Sequence, residues 1–182
     1  MKKAIFLTGR PGIGKTTVLL KTIEELKKLK IKIGGMISRE VRKQGKRIGF
    51  EIIDLSLNKK GWLAHINQPE GPRIGKYRVN LQDLNSIGVK AILNAVEKAE
   101  AIIIDEIGPM ELFSKNFKEA VLKALKSQKL VIGTIHYRAK NQIINQIKRR
   151  EDSEIIEVTL ENRENLHKLI MEKISKYLKE KN

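Results

Sequence analysis

The segment Gly9-Arg10-Pro11-Gly12-Ile13-Gly14-Lys15-Thr16 has the spacing G-x-x-x-x-G-K-[ST]. Its flanks restrict the fold further. The continuous apolar run Ala4-Ile5-Phe6-Leu7 precedes it and reads as a strand buried on both faces. From Lys15 to Lys30 the apolar residues Val18, Leu19, Ile23, Leu26 and Leu29 recur at helical spacing. A strand, a glycine-rich turn and a helix in that order form a phosphate cradle. Successive backbone N–H groups wrap the anion, and glycines keep side chains out of the way. The N-terminal end of the helix dipole points at the same anion. The predicted nucleotide-binding residues are therefore Gly9, Arg10, Pro11, Gly12, Ile13, Gly14, Lys15, Thr16 and Thr17. Lys15 places a point charge against the β- and γ-phosphates, Thr16 offers a hydroxyl to Mg²⁺, and Thr17 is positioned for the α-phosphate.

The rest of the chain alternates strands and helices. Ile33 to Val41 reads as extended, Lys43-Gln44-Gly45-Lys46 as a turn, and Ile48 to Leu55 as the returning strand of a hairpin. Asn58 to Asn80, with five Gly and Pro residues, reads as irregular. Helices are predicted over Asp83–Lys98, Phe113–Leu125, Asn141–Arg150 and Asn162–Lys181, with Asn162 as an N-cap and fraying from Lys173 onward. Buried strands are predicted at Ala101–Ile104, Leu130–Ile135 and Ile155–Leu160. The expected fold class is α/β: a mostly parallel sheet with helices on both faces, extended by an antiparallel insertion at about 33–80. No linker or repeat divides residues 1–182, so one domain is expected.

Composition restricts partners. At 41% apolar and 32% charged residues the chain is globular in type, and no apolar run approaches the ~18 residues of a membrane span. Cysteine is absent, which excludes disulfides, thiolate metal sites and cysteine nucleophiles. A cytoplasmic location and a monomer are expected. The abundance of Lys, Glu and Ile fits a thermophile. The net charge of +16 attracts polyanions and leaves a nucleic-acid partner open. Aromatic residues are only 4%, fewer than a single-strand binder uses for base stacking.

Ile102-Ile103-Ile104-Asp105-Glu106 puts an acidic pair at the end of a buried strand, the ligand edge of an open α/β sheet. Asp105 and Thr16 are the expected metal residues, with Mg²⁺ the cofactor. Glu106 is placed to polarise an attacking water, with Glu111 its rival. Thr134 and His136, at the end of another strand, face the γ-phosphate side. Among the arginine candidates for the transition-state charge, Arg138 is the first choice, with Arg10, Arg149 and Arg150 as alternatives. Lys15, Glu106 and Arg138 form the expected catalytic set. The expected substrates are nucleoside triphosphates. No Asn-Lys-x-Asp stretch is present to read guanine, so phosphate contacts dominate. Three other readings stay open: a P-loop kinase of a nucleotide or small molecule with Asn141 to Arg150 as its lid, a nucleic-acid-stimulated ATPase, and a nucleotide-binding switch.

Further segments carry a resemblance. They are Gly34-Gly35-Met36, Glu40-Val41-Arg42, Gly45, Arg47, Gly49-Phe50-Glu51-Ile52, Leu63-Ala64 and Gly75-Lys76-Tyr77. Asp105-Glu106-Ile107-Gly108-Pro109-Met110-Glu111-Leu112, Phe117, Gly133-Thr134-Ile135 and Asn162-Arg163 continue the set. Together with the glycine loop they resemble the small archaeal and bacterial P-loop nucleoside-triphosphatases, the family that also contains the human cancer-related nucleoside-triphosphatase. The resemblance implies a RecA-like core. It implies slow hydrolysis of ATP, GTP and other nucleoside triphosphates, with Gly12, Gly14, Lys15, Thr16, Asp105 and Glu106 as the site.

Overall fold

The computed structural model describes residues 2–181. Its centre is a nine-stranded sheet. The parallel half consists of β1 (Ala4–Thr8), the first part of β2 (Ile33–Lys43), β7 (Ala101–Ile107), β8 (Leu130–Ile135) and β9 (Ser153–Glu157). The antiparallel half adds β3 (Lys46–Asp54), β4 (Lys60–His65), β5 (Arg73–Ile74) and β6 (Tyr77–Val79). The strand order is β5-β6-β4-β3-β2-β7-β8-β1-β9.

Alternation along the parallel strands builds two cores. Ala4, Phe6, Ile102 and Ile104 face one side, and Ile5, Leu7, Ala101 and Ile103 face the other. The first side is covered by α3 (Lys90–Lys98), α4 (Lys115–Lys126) and α5 (Gln142–Arg149). The second is covered by α1 (Lys15–Lys28) and α6 (Leu166–Lys181). A strand sandwiched in this way must be apolar at every position, which is why the runs in β1, β7 and β8 are continuous. Each fully buried large side chain, such as Phe6 or Phe117, contributes about 1.5–3 kcal/mol.

The expected α/β architecture is present, and several boundaries differ from expectation. β2 belongs to both halves. Ile33–Met36 pairs with β7 in parallel, and Met36–Lys43 pairs with β3 antiparallel. The insertion therefore begins partway along a core strand. The stretch 58–80 is not irregular but holds β4, β5 and β6. Their short lengths, with Gly and Pro between them, hid the alternation. The helix expected over Asp83–Lys98 starts as α2 (Leu81–Asp83), passes through a π-helical stretch (Leu84–Val89) and continues as α3. At Gly88 a Cβ would lie 2.5 Å from Ile52 Cδ1 and 2.9 Å from Met36 Sδ, so the missing side chain lets this stretch press against the sheet.

Helix ends differ as well. α1 stops at Lys28, and Leu29 is exposed rather than inward. Ser114, whose hydroxyl accepts from Phe117 N–H at 3.0 Å, caps α4 at Lys115, so Phe113 lies before the helix. Asn141 caps α5 through Ile143 N–H. β9 ends at Glu157, and Leu160 is exposed. Asn162 is not the cap of α6. Its Oδ1 accepts from Thr159 N–H and its Nδ2 donates to Glu157 O, which ties together the loop before the helix. Of the run Lys173 to Asn182, where fraying is expected, Asn182 lies outside the described residues. The helix continues to Lys181, with Ile174 and Tyr177 buried and Tyr177 Oη donating to Gln128 O at 3.0 Å.

Candidate active site

The ends of β1, β7 and β8 lie side by side, and the site is built on them. β1 runs into the glycine loop. Gly14 occupies the N-cap of α1 with φ 112°, a left-handed conformation that strains any residue with a Cβ. It leaves the helix start without a side-chain cap, and the first turn holds no acid. The amides of Lys15, Thr16 and Thr17 are thus unpaired among the described residues, on the positive end of a 14-residue helix. Lys15 Nζ folds over the loop and donates to Gly9 O at 3.0 Å and Arg10 O at 3.4 Å. Carbonyl oxygens thereby hold the ammonium where a phosphate oxygen would replace them.

β8 stands between β1 and β7 in the sheet. Its last residues connect the glycine loop to the acidic pair. Asp105 is 1% exposed, and both its oxygens are satisfied by hydroxyls. Thr134 Oγ1 donates to Oδ1 at 2.6 Å, and Thr16 Oγ1 to Oδ2 at 3.2 Å. Burial pushes the Asp105 carboxyl up to about 6, opposed by the Thr134 bond and reinforced by Glu106. The register of β7 against β8 shifts between Ile104 and Ile107, so the pair Asp105-Glu106 sits in an irregular stretch. Glu106 lines the cleft, and burial raises its carboxyl while the Lys15 charge lowers it.

Glu111 is buried at 3% exposure in a 3₁₀ turn (Glu111–Phe113) after β7. Burial first, and then the neighbouring Glu106 charge, push it up to about 8, against backbone N–H bonds from Glu111 and Gly108. At neutral pH it is a protonated carboxyl. His136 also lines the cleft. Burial and the Lys15 charge lower its pKa, and its Nδ1 accepts from Arg138 N–H at 3.3 Å.

Lys15, Thr16, Glu106, Glu111, Thr134 and His136 border a cleft of ≈ 520 Å³, with Asp105 hydrogen-bonded to Thr16 and Thr134, and the cleft also reaches under the antiparallel half. Its lining takes in Gly9, Pro11, Gly12, Gly14, Lys15, Thr16 and Thr17 at one end. Arg10 and Ile13 contribute backbone rather than lining: their carbonyls accept from Lys15 and from Arg163 Nη1 at 3.5 Å. Arg138 is exposed and lies outside the lining. Arg150 turns away, with its Nε and Nη2 on Asp152 and Leu125 O, so it is withdrawn as a candidate.

The cleft holds an arginine that sequence reasoning did not single out as functional. Arg47, at the start of β3, lines it together with Ser38, Glu40 and Phe50. The hairpin turn around Gly45 and the spacing of β2 and β3 carried the available signal, because they put residues 40 and 47 within reach of each other. Arg47 Nη1 donates to Glu40 Oε2 at 2.8 Å.

With this geometry established, comparison with known proteins is informative. The family model described as NTPase matches residues 4–171. The nucleoside-triphosphatase THEP1 of Thermofilum pendens is 49% identical over 163 residues, covering 89% of this chain and 90% of that protein. The nucleoside-triphosphatase THEP1 of Methanocaldococcus jannaschii is 43% identical over 175 residues, covering 96% and 99%. The crystal structure of THEP1 from Aquifex aeolicus superposes with a TM-score of 0.79 at 32% identity, over 93% of this chain and 96% of that one. The solution structure of a human cancer-related nucleoside triphosphatase gives 0.81 at 34% identity, over 94% and 97%. Sequence and fold agree across nearly the whole length, and the chain belongs to the NTPase family.

Proposed function

We propose that this chain is a hydrolase of nucleoside 5′-triphosphates, releasing the diphosphate and inorganic phosphate. One observation carries the reading. The uncapped start of α1 with Lys15 and the pair Asp105-Glu106 line or adjoin one cleft, within reach of each other's charge. The loop amides and Lys15 bind the phosphates. Glu106 takes the proton of the attacking water. Burial raises its pKa, which makes it a stronger base than a solvated carboxylate. Glu111, protonated beside it, holds no competing charge. Arg138 remains a candidate for the transition-state charge only by swinging in from the surface.

Asp105 and Thr16 offer hard oxygen donors at the point where the β- and γ-phosphates would lie, and this suits Mg²⁺. A cation there also fits a carboxylate that burial alone disfavours. Among the described residues no cluster of three or more His, Cys, Asp or Glu side chains could hold a metal by itself. Two protein groups completed by phosphates and water are the usual arrangement for this ion. When bound, Mg²⁺ neutralises charge on the phosphates.

Base tolerance has support of its own. On the Thr17 side a hollow of ≈ 160 Å³ is bordered by Gly14, Thr17, Lys21, Arg163 and Glu164. Long flexible side chains dominate this border, and a guanidinium can stack on any base. No helix among the described residues is long and apolar enough to cross a membrane. We place the enzyme in the cytoplasm, where its substrates are.

The test is phosphate release from ATP, GTP, CTP and UTP with Mg²⁺, at moderate and high temperature, with Lys15→Ala as control. Release from all four, reduced about 10²–10³-fold in the control, is expected. Nucleotide binding without release from the unaltered protein would overturn the hydrolase reading.

A further inference from the structure

The far end of the cleft has a different chemistry from its glycine-loop end. The strand order gives the cleft a direction. The glycine loop follows β1, with β9 on one side and β8, β7, β2 and β3 on the other. Lys15, Thr134 and Asp105-Glu106 mark the γ-phosphate side, toward β8 and β7. Thr17 and the hollow beside Arg163 mark the nucleoside side, toward β9. The part of the cleft under the hairpin therefore lies beyond the γ-phosphate, and the donor's own base cannot occupy it.

This far end is bordered by Phe50, Leu63, Ile74 and Met110, which give it apolar walls, and by the polar side chains of Ser38, Glu40 and Arg47. The guanidinium is held in place. Nε donates to Tyr77 Oη at 2.8 Å and Nη1 to Glu40 Oε2 at 2.8 Å. The guanidinium carbon lies 5.2 Å from the centre of the Phe50 ring and 5.7 Å from that of Tyr77. Nη2 has no partner among the described residues and is left for an anion. Water as the acceptor needs neither apolar walls nor a fixed cation. A molecule carrying both an anionic group and a flat ring uses both.

We propose that the hairpin end of the cleft is a second-substrate site for a nucleoside monophosphate, whose phosphate receives the γ-phosphoryl group. The proposal rests on the reading of the glycine-loop end as the triphosphate site. Arg47 binds the acceptor phosphate, and the apolar walls take the base. An oxygen of that phosphate forms the new bond to the γ-phosphorus as the bond to the β–γ bridging oxygen breaks. Triphosphate and monophosphate become two diphosphates, and no proton is released. The same centre then divides its phosphoryl groups between water and the monophosphate.

The experiment uses GTP labelled at the γ-phosphate, with AMP, CMP, GMP or UMP added in turn and the products separated. Label is expected in the diphosphate of at least one added monophosphate. Arg47→Ala is expected to lower the share reaching that acceptor, relative to water, by about tenfold or more, as for loss of one charge-assisted contact. Arg47→Lys should recover part of it. A single cooperative thermal transition above the assay temperature checks that both variants fold, with the Arg47→Ala midpoint lowered by the lost Tyr77 and Glu40 bonds. Label found solely as inorganic phosphate with all four monophosphates would overturn the acceptor site while leaving hydrolysis intact. An Arg47→Ala enzyme slowed equally toward both acceptors would also overturn it, since Arg47 would then act on the donor. Neither binding nor release of GTP phosphate by the unaltered protein would instead bring down the triphosphate site itself.

Discussion

The two halves of the sheet present their chemistry in different ways. In the parallel half, β1 and β8 are buried almost throughout, and functional groups appear where the strands end: the glycine loop after β1, Asp105-Glu106 at the end of β7, His136 after β8. In the antiparallel half, functional groups project from within strands, as Ser38, Glu40, Arg47 and Phe50 do, and Ser38, Glu40 and Phe50 share a face with the core residues Met36 and Ile52. On the proposed reading, the parallel half concentrates charge stabilisation and proton transfer. The hairpin half supplies a shaped wall with a held cation. One architecture makes a contiguous motif, and the other scatters its residues at strand spacing.

The largest effect is expected at Glu106. Glu106→Gln removes the base and retains the shape, so turnover should fall by about 10²–10⁴-fold with nucleotide binding kept. A Glu106→Gln enzyme with ordinary single-turnover rates would move the base to Glu111 and weaken the division of labour drawn between the halves. Thr134→Val comes next. It deprives the buried Asp105 of its 2.6 Å hydrogen bond, a loss of about 1–3 kcal/mol in stability. Chemical denaturation reads this directly, and an unchanged midpoint would mean that β8 is a spacer rather than a support.

Glu111 gives a pH test. Its folded-state pKa of about 8 lies above the ordinary carboxylate value, so the folded state binds the proton more tightly than the unfolded one. Stability is full below the unfolded pKa and is lost as pH rises through the folded one. The thermal midpoint of the nucleotide-free protein should therefore decline between pH 5 and pH 8 by several degrees, at roughly 2–4 °C per kcal/mol. Asp105, at about 6, adds to the decline in the lower part of that window. Glu111→Gln should flatten the upper part, and a slope identical to that of the unaltered protein would remove Glu111 from the account. The smallest effect is expected on the hairpin side. Tyr77→Phe removes one bond to Arg47 and should lower stability by about 0.5–1.5 kcal/mol. A much larger loss would show that the hairpin wall depends on this contact as strongly as the core depends on Asp105.

The amino-acid sequence by itself determined the glycine loop, the alternation of strands and helices, and the acidic pair. Each rests on local physics: a φ that suits glycine at Gly14, an apolar run that has to be buried at Ile102–Ile104, a helical period from Val18 to Leu26. The same local reasoning erred where tertiary contacts override it. Asn162 has the side chain of an N-cap and spends it on Thr159 and Glu157. Strands of two or three residues, β5 and β6, are too short to show a period and exist because neighbours supply their hydrogen bonds. Only the tertiary structure decided which arginine lines the cleft, because the hairpin brings Arg47 to Glu40 locally while its contact with Tyr77 depends on strand pairing across thirty residues. It likewise decided that Glu111 is a buried acid rather than a surface charge, since burial is a property of the packed fold and not of the residue.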